Sequence, residues 1–176
     1  MTTIAYRNGV LAADTGAYIN NGSVRVPGRG RKLYRLKDGS MAAGAGSRKD
    51  IQEMVRWLDG GDEPAKDNDA YLLHISTEFI TYYEGTHVRD VEDCSFYALG
   101  SGAAAALGAM YAGADAYGAI EAAIAVDPYT DGEIDMMMMD PSPPAPGSFT
   151  DIDPRDFLVC PTTKLYRAYK KSQKPS

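Results

Sequence analysis

The feature that most constrains this chain is the Asn8-Gly9 pair, set between the apolar stretches TTIAYR and VLAADT. Asn-Gly between such stretches is the strongest short-range signal for a type I′ turn, so the first 15 residues read as a β-hairpin. A two-residue loop also sets the register, with Arg7 opposite Val10, Ile4 opposite Ala13, Thr3 opposite Asp14 and Thr2 opposite Thr15. Cross-strand neighbours have Cβ atoms about 5 Å apart. Turn chemistry alone therefore places an acidic side chain beside the start of the chain.

The rest of the pattern builds on that hairpin. NNGSVRVPGRG, rich in Gly and polar residues, reads as a loop, and RKLYRL and SMAAGAG read as short strands around Lys37-Asp38-Gly39. The period then changes: Ile51, Met54, Val55 and Leu58 fall at helical spacing behind a Ser47/Asp50 capping box, predicting a helix over 48–59 closed by Gly60-Gly61. AYLLHIST and EFITYYEG read as a hairpin, and CSFYALG as a further strand. Helices are expected over 103–111, ending at Gly113, and over 115–126, with Tyr117, Ile120 and Ile124 on one face. EIDMMMMD reads as a strand, PSPPAPG as a loop and FLVCPT as a last strand before a basic tail with Lys164, Arg167, Lys170, Lys171 and Lys174. Strands, helix, strands, two helices and strands do not alternate in βαβα fashion. The order points to an α+β protein with antiparallel sheets and segregated helices.

With 176 residues the chain is the length of one domain, 1–176, in which 141–176 is a Pro-rich loop and basic tail. A net charge of -6 argues against nucleic acid as a partner, since phosphate backbones call for clustered Lys and Arg. Two cysteines, Cys94 and Cys160, are too few for a disulfide scaffold and suit a reducing cytoplasm as buried thiols. The opening MTTIAYRNG has neither a basic n-region nor a long apolar run, so no signal peptide and no membrane span are expected. His74 and His87 lack metal-ligand spacing, and Met136 to Met139 fit a strand core better than a metal site.

Met1 precedes a small residue, the context in which initiator Met is usually trimmed, and its loss would leave Thr2 as the terminus. A free α-amine has a pKa near 8, so an N-terminal Thr carries its own general base beside its hydroxyl. Taken alone, Met-Thr is equally the start of an ordinary strand. Asp14 alone is equally a turn residue, Lys32 a solvated strand charge, Ser101 a helix N-cap and Asp127 the acid before a Pro turn.

Several segments in order nevertheless resemble proteasome β subunits and HslV. TTIA is similar to the family's N-terminal Thr-Thr strand, AADTGAY to the turn carrying its acid, and GRGRKLYRL to the segment carrying its Lys. AAGAGSRKD resembles the Gly-containing strand end before the first helix, ALGSGAAAALGAM the GSG turn that opens a helix, and DPYTDGEID the loop with an Asp and a hydroxyl residue. Proteasomes have a second Ser in the GSG turn where Ala103 stands here, which brings the chain nearer the HslV branch. About fifty residues separate Gly46 from Leu99, so the resemblance implies that one helix of the family's layer is missing or much shortened.

The resemblance implies a four-layer αββα sandwich of the N-terminal-nucleophile hydrolase type and threonine endopeptidase activity toward unfolded polypeptides. It assigns the nucleophile to Thr2, and to Asp14 and Lys32 the ion pair beside it. The oxyanion amide falls on Gly44, and the amine-tuning network on Ser101, Asp127 and Thr130. Ala17, Gly30 and Ala42 would line a wide apolar pocket for bulky uncharged side chains. Carbonyls of Val126, Tyr129 and Gly132 would hold a structural monovalent or divalent cation, with no cofactor needed for the chemistry. The expected partners are further copies in a hexameric ring or double ring and an ATPase unfoldase. A non-catalytic ring or assembly subunit and a different N-terminal-nucleophile amidohydrolase are the alternatives.

Overall fold

The computed structural model describes residues 1–19, 23–77, 79–91, 95–139 and 158–159. β1 (Thr3–Arg7) and β2 (Val10–Asp14) form the expected hairpin, with Ile4 opposite Ala13 and Arg7 opposite Val10. Asn8 and Gly9 take positive φ values of 50° and 78°, as a type I′ turn requires. The ladder ends at Ile4, short of the expected Thr2–Thr15 pairing. Beyond it Thr15 N–H donates to the Glu133 carbonyl and the Thr2 carbonyl accepts from Ser101 N–H, because each strand has gained another neighbour.

Those neighbours are β10 (Phe96–Gly100), antiparallel to β1, and β11 (Ile134–Met138), antiparallel to β2. With β12 (Leu158–Val159) they complete a sheet ordered β10-β1-β2-β11-β12. The second sheet runs β5-β6-β7-β8-β9, from β5 (Leu33–Arg35), β6 (Met41–Ala45), β7 (Tyr71–Ile75), β8 (Ile80–Glu84) and β9 (His87–Asp90). The segment expected to be a loop, 20–30, instead contributes β4 (Val24–Val26), which pairs antiparallel with β3 (Ala17–Ile19) just before it. The two strands have three residues each, too short for a period-2 pattern to stand out from the Gly-rich surroundings.

Side-chain alternation sorts the core into layers. Ile4, Leu11, Ala13 and Leu99 of the first sheet meet Leu33, Met41, Ala43, Leu73 and Ile75 of the second. The opposite face of the first sheet, with Ala5, Ala12, Ala98 and Met136, packs on α2 (Ala103–Tyr111) and α3 (Ala116–Val126). Small residues on both sides let these helices lie close to the strands. The opposite face of the second sheet packs on α1 (Arg48–Leu58) through Ala42, Leu72, Ile51 and Met54. Among the described residues the result is the expected αββα sandwich, with one helix on one side and two on the other.

Helix ends follow the sequence with one exception. Gly60 closes α1 at φ 85°, its N–H donating to the Trp57 carbonyl, and Asp115 caps α3 by accepting from Gly118 N–H at 2.8 Å. Ser47 is the N-cap of α1 but makes no capping bond through its side chain, so the Ser47/Asp50 capping box does not form. The Asp50 carboxyl instead meets that of Asp69, and burial followed by this partner raises its pKa. Met136 and Met137 are buried on opposite faces of β11, as strand-core residues. Cys94, Cys160, the Pro-rich loop and the basic tail lie outside the described residues.

Candidate functional site

Two polar networks meet at the first three residues. The first centres on Asp14, which is fully buried at the end of β2. Its Oδ1 accepts from Lys32 Nζ and from Thr3 N–H, each at 2.7 Å, and its Oδ2 accepts from Gly16 N–H at 3.2 Å and Asp131 N–H at 3.3 Å. Four donors offset the cost of burying a carboxylate. Lys32, 6% exposed just before β5, also donates to the Met1 carbonyl at 3.2 Å. Burial lowers the Lys32 pKa, with Asp14 opposing the shift by charge and hydrogen bond. Asp14 and Lys32 are thus brought to the residues flanking Thr2, which is itself 9% exposed.

The second network holds Thr2 and Thr3 from the side of α2 and α3. Ser101 precedes α2, and its N–H and Oγ point at the Thr2 carbonyl at 2.9 and 3.5 Å. Ser101 Oγ donates to Asp127 Oδ2 at 2.6 Å, and Thr130 Oγ1 donates to the same oxygen at 2.5 Å. Burial works against the Asp127 charge, but the bonds from Ser101, Thr130 and the Tyr129 amide, with the terminal ammonium, hold its carboxyl below the usual range. The Met1 amine feels the same groups: burial and then Lys32 lower its pKa, against the pull of Asp14 and Asp127. The turn geometry is demanding. Gly100 sits at φ 102°, and a Cβ there would overlap the Thr2 carbonyl.

Sequence reasoning missed Thr3. Its hydroxyl lies 2.5 Å from Thr130 Oγ1 and accepts from Gly102 N–H at 2.9 Å, joining the second network to the strand that carries Thr2. The hairpin register, which sets Thr3 against Asp14, was the available signal. Two assignments are corrected. The Gly44 amide donates to the Lys32 carbonyl at 3.1 Å inside the second sheet, so it is not available to an oxyanion. Ala42 is fully buried beneath α1 beside Tyr34 and Ile51, on the sheet face turned away from the site, and lines no pocket there.

Ala17 and Gly30 do come together: a Cβ on Gly30 would stand 3.4 Å from that of Ala17. Val126 ends α3, and Tyr129 and Gly132 follow in the loop before β11. Among the described residues no hydrogen bond ends on these three carbonyls, which leaves them able to face a cation. His74 Nε2 lies 2.9 Å from Ser40 Oγ.

These layers form an αββα sandwich that solved structures share. The chain superposes on eukaryotic HslV from Trypanosoma brucei with a TM-score of 0.64 at 19% identity, covering 77% of this chain and 97% of that one. BPH from Thiobacillus denitrificans gives a TM-score of 0.57 at 21% identity over 80% of this chain and 98% of that one. The same protein in complex with epoxomicin gives 0.57 at 22%, over 80% and 99%. No family model and no curated protein matches the sequence. The chain therefore has the fold of HslV.

Proposed function

We propose that this chain is a threonine endopeptidase subunit that cleaves unfolded polypeptide by acyl transfer to Thr2 once Met1 is removed. The observation that carries the reading is the convergence of the Lys32–Asp14 pair and the Ser101–Asp127–Thr130 network on the residues flanking Thr2. In the proposed reaction the Thr2 hydroxyl attacks the substrate carbonyl while the Thr2 amine takes its proton, and the ammonium of Lys32 stabilises the forming alkoxide. The amine then returns the proton to the leaving nitrogen, and water hydrolyses the acyl-enzyme. Ser101 and Asp127 orient the amine.

With the Gly44 amide engaged, the reading assigns the oxyanion donor to Gly46. It lies two residues on, at the strand end with φ 120°, and strand alternation turns its N–H to the same edge as that of Gly44. Ala17 and Gly30 line the substrate side of the proposal, where small side chains leave room for bulky apolar groups. Assembly into a closed homo-oligomeric ring, work with an ATPase unfoldase and a cytoplasmic setting belong to the same reading. A carbonyl-bound cation at Val126, Tyr129 and Gly132 does too. Anomalous scattering after exchange into a heavier alkali ion tests that site, and no peak at the loop removes it.

While Met1 remains attached the Thr2 nitrogen is a peptide amide and cannot act as base, which would leave a non-catalytic subunit. Intact mass separates the two cases. Incubation of the trimmed, assembled protein with an epoxyketone, which needs both hydroxyl and free amine, should give a covalent adduct at Thr2. Complete trimming with neither adduct nor peptide cleavage would overturn the peptidase reading.

A further inference from the structure

We propose that Arg25 and Arg29 are positioning residues, latching the β3–β4 arm to Asp131, Glu133 and Asp135 and thereby holding the segment that delivers Lys32 to Asp14. The inference takes its catalytic consequence from the peptidase reading and its geometry from the residues themselves. Between the end of β4 at Val26 and the start of β5 at Leu33 the chain has no regular structure and includes Gly28 and Gly30. Glycines leave such a segment many backbone conformations. Two sets of bonds select one: Gly30 N–H donates to the Thr15 carbonyl at 2.8 Å, and Arg29 pairs with Glu133 at 2.7 Å and with Asp135. Lys32 follows three residues later.

The acidic side of the latch is tied to the same place. Asp131, the partner of Arg25, donates its own N–H to Asp14 Oδ2, and the Glu133 carbonyl accepts from Thr15 N–H while the Glu133 N–H donates to Thr15 Oγ1, each at 2.9 Å. Asp131 stands before the bend at Gly132, whose φ is 93°, and Glu133 and Asp135 follow it, so the ion pairs to Arg25 and Arg29 tie together both sides of that bend. Both arginines are about half exposed. Their pairs are therefore open to screening by salt, unlike the buried Lys32–Asp14 pair they support. The site's geometry is thus made sensitive to ionic strength from outside.

The test compares the full-length protein with Arg25→Gln/Arg29→Gln and Arg25→Lys/Arg29→Lys. Amide exchange at Gly16, Gly30 and Asp131 is read by NMR and peptide hydrolysis by steady-state kinetics. Exchange at these three amides should rise about fivefold in the Gln variant, and in the wild type as salt is raised to about 0.5 M, with the Lys variant near wild type at low salt. The kcat of the Gln variant should fall by a similar factor with KM little changed, and its rate should no longer respond to salt. Unchanged exchange at the three amides overturns the latch whatever the activity. Faster exchange with unaltered kcat overturns the positioning role. Faster exchange in a wild type that hydrolyses nothing leaves the latch in place and removes the peptidase reading instead.

Discussion

The two helix layers of the sandwich are built on different terms. α2 and α3 contain one charged residue between them, Glu121, and lie on alanines of the first sheet. Their ends feed the site: Ser101 and Gly102 stand before α2, and Asp127 and Thr130 stand after α3. α1 has charged residues along its outer face and seats Ile51 and Met54 into the second sheet, and neither polar network takes a side chain from it. Close helix–sheet packing over small residues fixes helix termini to within a hydrogen bond, which is what catalytic groups need. A single amphipathic helix suffices where the only task is to cover apolar surface. A single described helix over the second sheet is therefore compatible with both polar networks at the chain's first residues.

The largest effects should come from the site side. On the peptidase reading, Thr2→Ala should reduce peptide hydrolysis to background with the circular dichroism spectrum and assembly state unchanged, because only the proposed nucleophile's hydroxyl is lost. Lys32→Ala should be as severe in kcat and should also lower stability by about 3–5 kcal/mol in denaturant titration, since it strands a fully buried Asp14. Equal loss of activity with unchanged stability would mean that Lys32 and Asp14 are not paired in solution.

On the covering side the order should invert. Met54→Ala, at a fully buried position under α1, should cost about 2–5 kcal/mol of stability while the folded fraction keeps its kcat. A fall in kcat per folded molecule would show that the α1 layer does reach the site. Acid should weaken this side too. Burial lowers the His74 pKa below its ordinary 6.5, so the unfolded chain binds the proton first. The stability that neutral His74 contributes is complete above pH 6.5 and is lost as pH falls through its lower folded value. His74→Gln should flatten the stability profile in that window.

Two glycines close together in the first helix layer sharpen the contrast at the smallest scale. A Cβ at Gly102 would come within 2.5 Å of Thr3 Oγ1 and 2.9 Å of Thr130 Oγ1, so Gly102→Ala should depress activity and cost about 1–3 kcal/mol. At Gly108, within α2, a Cβ meets nothing within 4 Å. Gly108→Ala should stabilise the protein by about 0.5–1 kcal/mol through helix propensity, with no change in kcat. Thermal melts beside kinetics on both variants check the pair.

What the sequence determined by itself was local: a turn whose residues require positive φ, helices whose spacing and caps are written within a dozen positions, and a register that put Asp14 beside the first strand. The order of elements was also legible, and with it the layered α+β architecture. Tertiary structure decided the rest, because it depends on which groups compete for the same partner. The Gly44 amide looked available until β5 placed the Lys32 carbonyl 3.1 Å from it. Ala42 looked like pocket lining until pleat alternation turned it under α1. The Ser47/Asp50 box looked complete until Asp69 engaged the Asp50 carboxyl. Thr3 and the arginines of the β3–β4 arm acquire their roles from residues roughly a hundred positions away, Gly102, Thr130, Asp131, Glu133 and Asp135. Short-range patterns carry no information about such partners, since the contact exists only after the sheets have brought β1, β2 and β11 side by side.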